Sequence, residues 1–280
     1  MIQDIAPKQF DNAFRTNIMP TADSVIFYFQ DKSVLVRTRG EKGKLFPLFS
    51  EIGEPEGCIY LFTIGKRAFF LLRSQSLTTL PAGFSFETLR DIRRTRNAAL
   101  PSFFALYTAV HLSDWYNANR FCGACGHLTT LDDKERAIRC TDCGNIIYPR
   151  INPAVIVGII NKDKLLVTRY ADRRGIDNYA LVAGFTEIGE TLEETVQREV
   201  MEEVGLKVQH IRYYKSQPWG SAADILAGFY CDLDGDDTIA LDTGELRNAF
   251  WAAPDEIKLQ TDDWSLTNEM MKRFKEGQIC

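Results

Sequence analysis

Hydrophobic and polar positions change period several times along the chain. Ser24–Phe29 and Ser33–Arg37 flank an Asp31-Lys32 turn, and Ile59–Ile64 and Arg67–Leu72 flank Gly65-Lys66. Both pairs are rich in β-branched and aromatic residues and predict two hairpins. From about Phe86 to Asn119 the pattern turns helical, with Phe103, Leu106, Tyr107, Val110 and Trp115 near helical spacing and a break at Leu100-Pro101. Phe121–Tyr148 carries four spaced cysteines. From Pro149 onward strand and helix signals alternate. Asn152–Ile160, Lys164–Arg169 and Ala180–Phe185 read as strands, Thr191–Val204 as a helix, Phe229–Leu233 and Phe250–Trp251 as later strands, and about Ser265–Lys275 as a final helix. There is no low-complexity tract or internal repeat, so a solenoid is not expected.

Composition narrows the class. A chain of 280 residues is too long for one ordinary domain, so two or three are expected. Its 45% apolar and 25% charged residues suit packed globular domains rather than disorder. The net charge of −5 argues against binding nucleic acid through bulk positive charge. Ala154–Ile160, the longest apolar run near the middle, is far too short to cross a bilayer, so no membrane partner is expected. The first eight residues, Met1 to Lys8, lack the pattern of a signal peptide. The seven cysteines are an odd number, and four of them form two Cys-x-x-Cys pairs. That usage points to a reducing compartment, by default the cytoplasm, and to a metal site.

Cys122-Gly-Ala-Cys125-Gly and Cys140-Thr-Asp-Cys143-Gly are two such knuckles. Each directs two thiolates at one point, and the following glycine permits a tight backbone turn. Four soft ligands suit one tetrahedral Zn²⁺ per chain with no open position, hence a structural ion. The residues between the knuckles carry Asp132, Asp133, Glu135, Lys134, Arg136 and Arg139 and no aromatic side chain, so no nucleic-acid platform is predicted there. Cys58, Cys231 and Cys280 read as ordinary buried or terminal residues. Arg90, Arg93, Arg94 and Arg96 could suit RNA, but a solvated basic helix face accounts for them more simply.

The richest stretch runs from Gly184 to Leu206, with seven glutamates and one arginine between Glu187 and Glu203. Thr191 and Glu194 form a capping box, and Gly205 suits the left-handed position that ends a helix. At about 100° per residue, setting Glu199 at zero puts Leu192 at about 20°, Glu203 at about 40° and Val196 at about 60°. Two glutamates therefore lie at or inside the apolar stripe, with Glu202 on their other side. Carboxylates so close to a core repel one another and need compensation, which a bound Mg²⁺ or Mn²⁺ supplies.

That stretch resembles the Nudix box, Gly-x5-Glu-x7-Arg-Glu-U-x-Glu-Glu-x-Gly-U with U apolar. Gly184, Glu190, Arg198, Glu199, Val200, Glu202, Glu203, Gly205 and Leu206 meet every fixed position. A four-cysteine ribbon just before it, joined through Tyr148-Pro149-Arg150, is similar to the NADH pyrophosphatase branch of that superfamily. Ser216-Gln217-Pro218-Trp219 matches the first half of that branch's signature, Ser-Gln-Pro-Trp-Pro-Phe-Pro-x-Ser, whereas Gly220-Ser221-Ala222 replaces Pro-Phe-Pro.

The resemblance implies an α/β (α+β) chain: a Nudix fold with a mixed sheet between helices at 150–280, a zinc ribbon at 118–149, and a non-catalytic, Nudix-like α+β domain at 1–117. It implies a homodimeric hydrolase that cleaves the pyrophosphate of NADH or NAD⁺ to AMP and nicotinamide mononucleotide, and by the same chemistry an NAD cap on RNA. A Nudix hydrolase of ADP-ribose or a diadenosine polyphosphate, or a nucleotide-sensing module, are the alternatives. Glu199 and Glu203 are implied as the main ligands of the catalytic Mg²⁺ or Mn²⁺, joined by the carbonyl of Ala183. Glu202 is implied as a further ligand or as general base, and Glu245, alone an ordinary loop residue, as a further metal or catalytic glutamate. Arg198 is expected to hold Glu194 and Glu202, one turn away on either side. Tyr148, Phe185, Ser216, Gln217, Pro218, Trp219 and Thr267 are implied as substrate contacts. Because glycine enlarges loop freedom where proline limits it, looser dinucleotide selectivity is expected from Gly220-Ser221-Ala222.

Overall fold

The computed structural model describes every residue except 39–44, 74–76, 78–79, 96–98, 171–178, 245, 261–262 and 280. It divides the chain into two compact units, 2–150 with 220–222, and 151–219 with 223–280 and Met1.

In the first unit, β1 (Phe10–Asp11), β2 (Val25–Phe27), β3 (Phe29–Gln30), β4 (Ser33–Arg37), β5 (Cys58–Ile64), β6 (Arg67–Leu72) and β7 (Phe84–Thr88) build two sheets, ordered β1-β5-β6-β2 and β3-β4-β7. The second predicted hairpin forms as expected, Ile64 opposite Arg67 across the left-handed Gly65. The first one divides. Phe29 pairs with Val34, but Val25–Phe27 leaves to run parallel to β6 in the other sheet. Phe84 and Phe86 alternate toward β4, so the segment expected to begin a helix at Phe86 is a strand. Helix α1 (Leu89–Thr95) starts only after Thr88, whose Oγ1 accepts the Asp91 N–H at 3.1 Å. Helix α2 (Leu100–Ala118) then begins anew, with Pro101 in its first turn, where no N–H is needed. It is buried on most sides, as Phe103, Phe104, Leu106, Tyr107 and Trp115 require. Three short strands, β8 (Thr129–Leu131), β9 (Ile138–Cys140) and β10 (Ile146–Ile147), form the ribbon's sheet.

The second unit is a mixed sheet between two helices. Its elements are β11 (Asn152–Asn161), β12 (Lys164–Tyr170), β13 (Val182–Phe185), α3 (Leu192–Val204), β14 (Val208–Trp219), β15 (Asp224–Leu233), β16 (Leu246–Ala252) and α4 (Leu266–Lys275). The order is β14-β15-β11-β12-β16, with β13 also on β11; β11 and β15 run parallel and the other pairs antiparallel. Alternating side chains of β11 feed two cores. Val155, Val157 and Ile159 meet Val196, Val200 and Val204 of α3. Ile156 and Ile160 meet Leu266, Met270 and Phe274 of α4. Strand β14 and the first half of β15 go beyond the strands expected from the sequence. An edge strand reading Val-Gln-His-Ile-Arg-Tyr-Tyr-Lys is half-buried and twice irregular in register, so its alternation is weak.

Candidate active site and zinc centre

In the ribbon, Gly126 and Gly144 adopt φ of 78° and 72°, the left-handed turns expected after each knuckle. The sulfur atoms lie 3.7 Å apart for Cys122–Cys143, 3.4 Å for Cys125–Cys140 and 3.4 Å for Cys125–Cys143. Four thiolates around a tetrahedral Zn²⁺ at about 2.3 Å would sit about 3.8 Å apart, so the donor set fits that ion. The N–H groups of Ala124 and Asp142 donate to Cys122 and Cys140 Sγ, each at 3.4 Å. These backbone donors lower both thiol pKa values, favouring the thiolates that a metal needs. Two of the charges between the knuckles pair with each other. Buried Asp132 accepts the N–H of Lys134 at 2.8 Å and both Nε and Nη2 of Arg139 at 2.9 and 2.8 Å. Cys231 is fully buried and its thiol is pushed up to about 12, as an inert core cysteine should be. Cys280 and Arg96 lie outside the described residues.

The glutamate helix begins and ends as read from its sequence. Thr191 Oγ1 accepts the Glu194 N–H at 3.2 Å while the Glu194 carboxylate accepts the Thr191 N–H at 2.7 Å. Gly205, at φ 68°, returns its N–H to the Met201 carbonyl at 3.1 Å. Glu199 and Glu203 are 9% and 2% exposed, beside Val196 and Val200 on the buried face. What allows this is the strand opposite. A Cβ built on Gly184 would collide with the Glu199 carboxyl group, so only glycine leaves that seat. One residue earlier, the Ala183 N–H donates to Glu203 Oε1 at 3.4 Å.

Arg198 gathers the rest. Its Nε donates to Glu190 Oε1 at 2.6 Å, its Nη1 to Glu199 Oε1 at 2.7 Å and Glu202 Oε2 at 3.0 Å, and its Nη2 to the Phe185 carbonyl at 2.8 Å. The expected partner Glu202 is present, but Glu194 is not one, because its carboxylate is used in the capping box. Glu190 takes that place, folded back from the loop before α3. The guanidinium, with the Glu187 N–H, holds the Glu190 carboxyl down at about 2. The same bonds raise the pKa of Arg198, so this hub stays charged throughout the working range. Among the described residues, no three acidic side chains bring ligand oxygens within 4.8 Å of one another. Glu199, Glu203 and the more exposed Glu202 nevertheless offer hard oxygens along one edge of α3, chemistry that suits Mg²⁺ or Mn²⁺.

The remaining candidates are spread more widely. Phe185 closes β13 and is 52% exposed, beside the box. Tyr148 belongs to the first unit, where its hydroxyl donates to Glu135 at 2.7 Å. Ser216, Gln217, Pro218 and Trp219 end β14. Gln217 is fully buried, and both ends of its amide are committed: Nε2 donates to the Trp264 carbonyl and Oε1 accepts the Leu266 N–H, each at 2.7 Å. These two bonds fasten β14 to the start of α4. Trp219 lies 6.3 Å from Trp264 between ring centres. Thr267 is half-buried in the first turn of α4, and Glu245 lies outside the described residues.

The expected loose loop is also corrected. Gly220 is buried, and a Cβ on it would strike the Tyr107 carbonyl oxygen of α2. Its glycine therefore serves close packing within the first unit, not loop freedom. Asp224, not singled out in the sequence, opens β15 and is 6% exposed. The available signal was a carboxylate directly before the apolar run Ile225–Ala227.

Residues 150–274 match the model of the NUDIX domain, and residues 117–148 that of the NADH pyrophosphatase zinc ribbon domain. The chain is 42% identical over 151 residues, 54% of its length, to the NAD-capped RNA hydrolase NudC of Enterobacter sp. (strain 638), of which it covers 57%. Its match to the protein of the same name from Escherichia coli O157:H7 is 40% identical over 151 residues, covering 54% of this chain and 58% of that one. The chain thus spans under two thirds of these relatives. A NUDIX hydrolase crystal structure from Nitrosomonas europaea is similar at 24% identity and a TM-score of 0.49, over 57% of this chain and 92% of that one.

Proposed function

Because this chain carries a Nudix domain behind an NADH pyrophosphatase zinc ribbon, we propose that it hydrolyses the pyrophosphate of NADH or NAD⁺ to AMP and nicotinamide mononucleotide. The same cleavage would remove an NAD cap from RNA, the activity for which its relatives are named. The observation that carries this reading is the seating of Glu199 and Glu203 against the backbone of Ala183 and Gly184, with Arg198 holding Glu199 from the other side.

Glu199 and Glu203, with the Ala183 carbonyl and Glu245, would hold Mg²⁺ or Mn²⁺. When bound, that ion neutralises pyrophosphate charge and favours ionisation of a bound water. The protein supplies position. Gly184 fixes the Glu199 carboxylate, and Arg198 ties the loop of Glu190 to the helix, so that the acidic edge is set before substrate arrives. Glu202 is 60% exposed at its side chain and tethered at 3.0 Å by Arg198. It would help hold the ion or accept the proton of the attacking water, two roles that the pH–rate profile of Glu202→Gln separates. Phe185 offers a free aromatic face for a base, and Tyr148 is the second stacking candidate, contributed within a homodimer.

We further read the chain as a non-catalytic domain (1–117), a structural ribbon (118–149) and a catalytic domain (150–280), acting in the cytoplasm. No helix among the described residues is long and apolar enough to cross a membrane. The test is product chromatography after incubation with NADH, NAD⁺, ADP-ribose, diadenosine polyphosphates and NAD-capped RNA. AMP and nicotinamide mononucleotide from NADH are expected; cleavage of ADP-ribose alone would replace this reading with the nearest alternative.

A further inference from the structure

The first unit holds a cavity of about 880 Å³, lined by residues that all fall within 8–102. That volume lies in the range of small-molecule sites, roughly 300–1,000 Å³. Its floor is apolar. Val25 on β2 stands opposite Phe69 on β6, and both are buried on the same face of the sheet. Phe46 joins them through the ring of Phe27, whose centre lies 4.7 Å from that of Phe46 and 5.9 Å from that of Phe69.

Its rim is cationic, and the local backbone explains why. Gly65, in the left-handed turn between β5 and β6, donates its N–H to the Gln9 carbonyl at 2.8 Å. That bond lays the chain before β1 along the turn, where a Cβ built on Gly65 would lie 4.0 Å from Lys8 Cγ. Lys8 is thereby brought beside Lys66 and Arg67, which follow the glycine, and all three are exposed at the cavity. Among the described residues, four cations and two carboxylates line it. One of each is neutralised internally, since Arg37 Nη2 donates to both oxygens of Glu51 at 2.6 Å. Lys8, Lys66 and Arg67 then remain against Asp23 alone. Like charges gathered at one edge repel, and a bound anion relieves that repulsion.

We propose that this cavity, in the unit that lacks the glutamate helix, is a second ligand site and binds a nucleoside monophosphate. The phosphate takes the cationic rim of Lys8, Lys66 and Arg67, and the base takes the apolar floor. Both parts of the ligand are needed. Inorganic phosphate alone would leave the floor to water, and an uncharged apolar molecule would leave the cations uncompensated. Thr21 and Ser102 add hydroxyl groups to the lining, suited to a ribose. The choice of a nucleotide rests on the proposed hydrolysis, which releases two nucleoside monophosphates; the cavity and its charge do not. RNA is the poorer fit, because single-strand sites track about 4–16 nucleotides along a charged groove, more than this volume holds.

The test is calorimetric titration of the full-length, zinc-loaded protein with AMP, in buffer without Mg²⁺ or Mn²⁺ so that the metal-dependent site is silent. Adenosine, inorganic phosphate and a single-stranded oligoadenylate RNA are titrated alongside. AMP should bind roughly tenfold or more tightly than adenosine or phosphate alone. Lys66→Glu with Arg67→Glu reverses two exposed rim charges and should weaken AMP roughly tenfold or more. Lys32→Glu with Lys258→Glu makes the same change of net charge at exposed positions off the cavity and should leave binding unchanged. Photolabelling with 8-azidoadenosine monophosphate, read by peptide mass spectrometry, places the site without any variant; label should fall within 18–25, 45–51 or 64–69. Label confined to 151–280, or equal binding by the two double variants, overturns the site. Phosphate or the RNA binding as tightly as AMP overturns the nucleoside monophosphate as its ligand. A protein that binds AMP here yet cleaves no NADH in the product assay would refute the proposed function and leave this site standing.

Discussion

The ribbon and the glutamate helix both concentrate metal-ligand chemistry, yet they are assembled in opposite ways. In the ribbon the ligands, the turns that aim them and the N–H groups that favour the thiolate all come from two five-residue knuckles. Its donor set is soft and full at four. On α3 the carboxylates depend on a strand that begins ten residues before the helix and on one arginine that reaches four acceptor groups. Local spacing suffices to build a closed structural centre. An open catalytic one has to be set from several directions, because its ligands must stay in place while part of the shell is left for substrate.

The sharpest way to break the comparison is to remove one metal and not the other. Dialysis against a weak chelator should abolish hydrolysis while about one zinc per chain remains by metal analysis, since four thiolates hold zinc far more tightly than carboxylates hold Mg²⁺. Readdition of Mg²⁺ or Mn²⁺ should restore turnover. Full activity with zinc as the only divalent ion would sink the division of labour.

Glu203→Gln probes the helix side alone. The amide keeps size and can still accept from Ala183, but it removes a charge from the edge proposed to hold the ion. Turnover should drop roughly a hundredfold or more, with circular dichroism and zinc content unchanged. A near-normal rate in a folded variant would mean that the buried glutamates serve packing.

Legibility followed the same division. The knuckles, the capping box and the glycine at the helix end are readable because each depends on residues close in sequence, and the two buried glutamates because helical spacing puts them at the apolar stripe. The partners of Arg198 were only half readable. A helical wheel offers Glu194 and Glu202, but it cannot show that Glu190 folds back from the preceding loop or that Glu194 is consumed by the cap. Gln217 is implied as a substrate contact by the signature alone, and only the arrival of α4 shows its amide fastening β14 to that helix. Likewise Gly220 looked like loop freedom until α2 was seen against it.

Gly220 gives the next prediction. Placing Pro-Phe-Pro at 220–222 adds a ring where a single Cβ would already strike the Tyr107 carbonyl. Backbone oxygen cannot rotate away as a side chain does, so the cost should be ~2–3 kcal/mol of stability, read by denaturant unfolding. Gly220→Ala should show part of it. A variant with unchanged stability and sharper NADH selectivity would restore the view of this loop as free.

The smallest effect concerns the carboxylate that neither metal centre uses. Burial raises the Asp224 pKa from 3.8 to about 6. The folded state therefore holds this proton more tightly than the unfolded state does. The stability Asp224 allows is fully present below the unfolded pKa, is lost as pH rises through about 6, and is constant above that. The total cost at pH 8 is at most about 3 kcal/mol, and part of it is already incurred at pH 5 because the unfolded side chain is ionised there. Asp224→Asn carries no such charge, so it should be more stable than the natural protein at pH 8, and its advantage should shrink by about 1 kcal/mol on going to pH 5. All other titrating groups are shared and cancel in the difference. Melting of both proteins across that range, with zinc content checked at each pH, measures it. An advantage that does not change with pH would show that burial leaves the Asp224 carboxyl at its ordinary pKa.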